Sequence, residues 1–161
     1  VVVVLREGVA ADAPAVAEVH IAARRAMTYL PDLHTDAETR DWVAAVLLAR
    51  CTLRVADGPG GVVGYAAFRS PHLEHLYVHP RSQDLGIGSR LLEWAKGASP
   101  AGVDLWVFER NVRATAFYEA HGFTVVRRTD GSGNEEREQD LLMAWSPGQA
   151  GPGTRTQRVP R

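Results

Sequence analysis

Apolar residues recur along the 161-residue chain with two periods that alternate several times. Val1 to Arg6 is a β-branched run that reads as a strand. Ala11 to Tyr29 then has helical spacing: Ala15, Val16, Val19 and Ala22 share a face, Asp12 holds the N-cap position and Pro14 falls in the first turn. Pro31 breaks that helix, His34 and Thr35 form a linker, and Asp36 to Ala49 resumes helical spacing through Trp42, Val46 and Ala49. Three strands are predicted next, at Thr52 to Ala56, Val62 to Arg69 and Leu73 to Val78. The turn Asp57-Gly58-Pro59-Gly60-Gly61 makes the first two a hairpin. Gly86 to Lys96 reads as a helix through Ile87, Leu91, Leu92 and Ala95, and Val103 to Phe108 as a buried strand. A short helix, Asn111 to His121, ends at Gly122, and Phe123 to Arg128 and Asp140 to Trp145 are the last strands.

The order β, α, α, β, β, β, α, β, α, β, β predicts an α/β (α+β) fold: a mixed, mostly antiparallel central sheet of about seven strands with helices on both faces. Residues 1–145 form the domain. Residues 146–161 contain three prolines and three glycines without an aromatic residue, and are expected to be a disordered tail.

With 45% hydrophobic and 23% charged residues the chain is an ordinary globular one, which excludes a disordered or collagen-like protein. A net charge of -1 gives no field that favours nucleic acid or an anionic membrane, so an anionic ligand must be held locally. Cys51 is the single cysteine, which excludes an internal disulfide and a paired-cysteine metal site and suits a cytoplasmic setting. It is expected to be a core residue. The longest wholly apolar runs fall far short of the roughly 20 residues that span a bilayer.

The chemistry concentrates where the strand Leu76-Tyr77-Val78 runs through His79-Pro80 into Gln83-Asp84-Leu85-Gly86-Ile87-Gly88-Ser89. The first N–H groups of a helix lack partners within it and sit at the positive end of its dipole, so they can hold phosphate oxygens without a basic side chain. Gly86 and Gly88 remove the Cβ atoms that would block the approach. A tight turn alone would use the same glycines. The Walker pattern and the three-glycine dinucleotide fingerprint are both absent.

These residues resemble the acetyl-CoA signature Gln/Arg-x-x-Gly-x-Gly/Ala of the GNAT-type (GCN5-related) N-acetyltransferase superfamily, and Asn111 to Phe123 resembles a second element of that family at the expected distance. The resemblance implies splayed central strands, with cofactor-binding groups at Leu76, Tyr77, Val78, Gln83, Asp84, Leu85, Gly86, Ile87, Gly88, Ser89, Asn111, Ala114 and Tyr118. It implies acetyl-CoA as acetyl donor, no metal, and a small-molecule or peptide amine as acceptor. A homodimer is compatible with it. Asp84 departs from the family pattern, which more often has Gly or a basic residue there, and a carboxylate facing a pyrophosphate would repel it.

Acetyl transfer to an amine requires a neutral nucleophile, a stabilised oxyanion and an acid for the departing thiolate. The Val78 amide is the expected oxyanion donor, and by resemblance Tyr118 is the acid, although a phenol on a helix face also serves plain packing. Asn111 caps its helix or bonds the pantetheine. Glu74 and His72, two apart on one strand, are expected on the same side, and either can act as base. The family commonly places a carboxylate there, and His72 stands where several relatives have Glu. Acceptor contacts are expected from Tyr29, Pro31, His34 and Thr35 and from the Asp130 to Asp140 link, whose Glu135, Glu136, Glu138 and Asp140 either attract a cationic amine or form a solvated loop. A CoA-binding regulatory or sensor domain without turnover is the alternative.

Overall fold

The structure is a computed structural model and describes residues 2–148. The tail expected from residue 146 onward therefore lies almost wholly outside the described residues. Seven strands form one sheet in the order β1-β2-β3-β4-β5-β7-β6. They are β1 Val4–Glu7, β2 Thr52–Gly58, β3 Gly61–Arg69, β4 His72–Val78, β5 Val103–Phe108, β6 Thr124–Arg128 and β7 Asp140–Trp145. All neighbours are antiparallel except β4 and β5, which are parallel and joined by a crossover helix.

The helices are α1 Ala13–Ala26, α2 Asp36–Trp42, α3 Leu48–Arg50, α4 Ile87–Ala98 and α5 Val112–Ala120. They cover both faces of the sheet. On one side α4 buries Ile87, Leu91, Leu92 and Ala95, the four positions its spacing predicts, against Ala66, Phe68, Leu73 and Met143. On the other, α1 packs Val16, Ala17 and Val19 against Val55, Tyr65 and Ala67.

Two helical expectations are corrected. Asp12 does not cap α1 with its side chain: a 3-10 turn, Ala10–Asp12, precedes the helix, and the carboxylate accepts instead from Val9 N at 2.8 Å and from Arg6. Between α2 and α3 the chain widens into a π-helical stretch, Val43–Leu47, which rotates the apolar face. Val43 and Leu47 are buried, whereas Val46, expected to face the core, is exposed.

The site is positioned by the way β4 meets its two neighbours. β3 pairs with β4 up to Gly64↔Val78, but the register slips by one residue between Ala67 and Phe68, so Glu74 is the extra residue of a bulge. On the opposite edge β4 meets β5 at His72↔Asp104 alone, while β5 is paired with β7 from Val103 to Phe108. Each strand is held by its outer neighbour, and the bulge bends β4, so the two diverge toward their C-terminal ends.

Candidate active site

A cleft of about 860 Å³ opens in that divergence, lined by Leu73 to Val78 of β4, Leu105 to Phe108 of β5, the start of α4, and Asn111, Arg113, Ala114, Phe117 and Tyr118. Ala23, Ala26 and Met27 of α1 close its far side. Hydrogen-bonded pairs alternate along an antiparallel ladder. His79 N donates to Val63 O at 2.8 Å, which places Tyr77 among the residues bonded to β3. Leu76 and Val78 therefore turn their main-chain groups toward β5, where no strand receives them. The Val78 carbonyl accepts from Gln83 Nε2 at 3.3 Å, which ties the phosphate-loop residue to the gap.

At the head of α4 the backbone adopts positive φ at Asp84 (64°) and at the N-cap, Gly86 (77°). No side chain caps the helix. A Cβ on Gly86 would meet nothing within 4 Å, so glycine is there for its backbone conformation. The first intrahelical bond of this turn runs from Arg90 N to Gly86 O at 3.1 Å, which leaves the N–H groups of Ile87, Gly88 and Ser89 without helical partners at the mouth of the cleft. An uncapped helix start, a glycine that leaves the approach clear and a strand edge with unpaired main-chain groups fit a phosphate-bearing molecule with a long amide arm. Asp84 lies at the mouth of the cleft, with its carboxylate on Arg113 at 2.6 Å and its side chain 82% exposed, so its charge is both paired and screened. Leu85 is exposed and is the one member of the expected cofactor set that does not line the cleft.

Tyr118 is buried in the cleft wall, and burial raises its phenol well above the usual range, so the hydroxyl stays protonated. Asn111 Oδ1 accepts from Ala114 N at 3.2 Å and so caps α5, and its amide faces the Met27 sulfur.

The two expected bases are engaged by different partners. Glu74 lines the cleft, but its carboxylate is engaged by Arg69 at 2.8 Å and Arg50 at 3.6 Å. His72 lies outside the cleft at the closed end of the gap, paired with Asp104. Cys51 is half-buried, and burial raises its thiol pKa.

The expected acceptor residues stand apart from the cleft lining. Tyr29 packs edge-on against Phe108 with ring centres 6.3 Å apart, and its buried hydroxyl has no hydrogen-bond partner. Burial pushes that phenol up to about 12. His34 is exposed and pairs with Glu135 at 3.0 Å, while the Thr35 hydroxyl accepts from Glu38 N in the cap of α2. The acidic link is likewise committed: Glu136 bonds Arg24 at 2.8 Å, Glu138 lies 3.5 Å from Arg110, and Asp140 accepts from Thr129 and Asn134.

Sequence reasoning missed Arg113, Phe108 and His75 of the lining. His75 carried a signal, since it is two residues before Tyr77 on the strand already singled out, but the bulge hides which face it takes.

A sheet parted at its two parallel central strands, with a glycine-headed helix at the mouth, defines the acyl-CoA N-acyltransferase architecture. Residues 49–125 match the family model described as "Acetyltransferase (GNAT) domain", which places that part of the chain in the GNAT superfamily. A Mycobacterium tuberculosis protein named "Probable N-acetyltransferase" is 37% identical over 84 residues, covering 47% of this chain and 48% of that protein. The peptidyl-lysine N-acetyltransferase YjaB of Salmonella typhimurium is 34% identical over 68 residues, covering 42% and 46%. The chain thus spans about half the length of the curated relatives it matches. Among solved structures, the apo form of YjaB from Escherichia coli superposes with a TM-score of 0.74 at 22% identity, over 90% of this chain and 98% of that one. YncA of Salmonella typhimurium with its cofactor acetyl-CoA gives 0.69 at 20% identity, over 100% and 99%. These two likenesses show the shared fold.

Proposed function

We propose that the chain is an N-acetyltransferase that moves the acetyl group of acetyl-CoA to a primary amine by direct attack within a ternary complex. The observation that carries this reading is the strand gap, in which the Leu76 main-chain groups and the Val78 N–H, unpaired with any strand, lie beside the uncapped start of α4. The names of the curated relatives and the acetyl-CoA bound by a structure of the same fold support it.

The cosubstrate supplies the acetyl group as a thioester and departs as the thiol. Ile87, Gly88 and Ser89 N–H groups hold its diphosphate, with Gly86 leaving the approach clear. Leu76 and Val78 bond the amide arm, and the Val78 N–H faces the carbonyl oxygen on which charge develops. Tyr118, kept protonated by burial, gives its proton to the leaving sulfur. Glu74, held by Arg69 and Arg50, forms part of the β4 wall of the cleft. The acceptor reaches β4 from the α1 side, past Tyr29, with His34 and Thr35 on the exposed rim. A peptide or small-molecule amine suits this open approach, and the name of YjaB favours a peptidyl lysine.

Calorimetric titration with acetyl-CoA and CoA, followed by thiol release across a panel of amines, tests the reading. Binding with turnover supports it. Binding without turnover on any amine makes the chain a CoA sensor, and no binding refutes both.

A further inference from the structure

The cleft contains one titratable side chain from β4 that the protein leaves free. Glu74 is committed to two arginines and His72 is outside, whereas His75 is one of the lining residues and neither of its ring nitrogens has a hydrogen-bond partner among the described residues. Its plane is set by ring contacts with His20 at 5.4 Å, Trp42 at 5.5 Å and Tyr77 at 5.9 Å. Those three belong to α1, α2 and β4, so the imidazole is held from three elements. His75 immediately precedes Leu76, whose N–H faces the gap, and it turns toward α1, the side from which the acceptor comes.

The charged groups that bear on it are cations. Burial, then Arg24 of α1 and Arg50 of α3, lower its pKa to about 4, and His20 behind it is itself lowered to about 3 and tied to the Tyr65 hydroxyl at 2.7 Å. The neighbouring Tyr77 and Tyr65 phenols are raised by burial and carry no charge. A neutral imidazole keeps one nitrogen with a free lone pair, which is what an attacking amine needs beside it.

We infer that His75 is the base of the reaction, accepting a hydrogen bond from the amine nitrogen and taking its proton as the N–C bond to the acetyl carbon forms. The amine enters as the free base. The C–S bond breaks, the sulfur takes the Tyr118 proton, and the imidazolium returns its proton to solvent, from which Tyr118 is reprotonated. This role rests on the acetyltransferase reading above.

The test uses the full chain and the best amine from the thiol-release panel. His75→Gln is expected to lower kcat about 100-fold while leaving acetyl-CoA affinity, measured by calorimetry, within twofold. Added imidazole is expected to restore part of the rate to His75→Ala in proportion to its concentration. In the wild-type protein without cosubstrate, titration with the amine is expected to move the His75 ring nitrogen resonances. An unchanged kcat in folded His75→Gln overturns the assignment. So do unmoved resonances, a readout that stands even if the variants do not fold. A wild-type protein that releases no CoA with any amine overturns the acetyltransferase reading itself and this role with it.

Discussion

At the scale of single residues, the solvent around each ionisable group decides what it can do. Tyr118 and Asp84 are the extremes. The first is buried with its proton, the second is exposed with a guanidinium partner. Replacing Tyr118 by Phe keeps the ring and removes the hydroxyl, so kcat is expected to fall by about 10- to 100-fold with CoA binding retained. Thiol release and calorimetry on the same preparation check this, and normal turnover would remove the phenol from the mechanism. The two buried histidines make a separate prediction for stability. Burial lowers both His20 and His75 below the unfolded value of about 6.5, so the unfolded chain takes up protons first as pH falls. Their contribution is full above that value and is lost as pH drops toward about 4. Urea unfolding at pH 7.5, 6 and 5 is expected to show a decline on the order of a few kcal/mol, flattened in His75→Gln.

At the scale of elements, β4 and the link between β6 and β7 bear most of the functional geometry. A single inserted residue at Glu74 interrupts the alternation of β4 beside the two side chains expected to act as base. The link between β6 and β7 is held shut by its own backbone. Gly131 has φ +83, and a Cβ there would sit 2.5 Å from the Glu138 carbonyl carbon, whereas Gly133 has open space. Gly131→Ala is therefore expected to destabilise the protein by about 2 kcal/mol or more, and Gly133→Ala to change it by less than about 0.5 kcal/mol. Thermal unfolding of the pair measures the contrast, and equal midpoints would show that the link adjusts freely.

At the scale of the whole molecule, the two halves of the sheet meet at β4 and β5 along one residue pair, and side chains bridge them from above. Arg24 of α1 holds Glu136 at 2.8 Å with both side chains largely covered, and His34 reaches Glu135. Glu136→Gln leaves the Arg24 guanidinium without its counter-charge and is expected to cost about 1 to 3 kcal/mol. Faster hydrogen exchange at 130–139 but not in α4 is the accompanying signature, and unchanged exchange would mean the link is held by its turns alone.

Much of this was readable along the chain because it is local. Helix start and stop signals, the hairpin at Gly58 to Gly61 and the apolar spacing of α4 depend on neighbours a few residues away, and they placed every strand and helix to within a few positions. The glycine motif before α4 is local too, since phosphate affinity at a helix start comes from backbone geometry that Gly86 permits. The remainder depends on contacts between distant segments. Whether Glu74 is free depends on Arg50 and Arg69, and whether the acidic link attracts a cation depends on Arg24, His34 and Arg110. Pairing of that kind is set by where the chain returns in space, and burial of His75 needs α1, α2 and β4 assembled together. A sequence lists which side chains are available, but charge and solvent access belong to the packed arrangement, because both fall off over a few ångströms that chain order does not record.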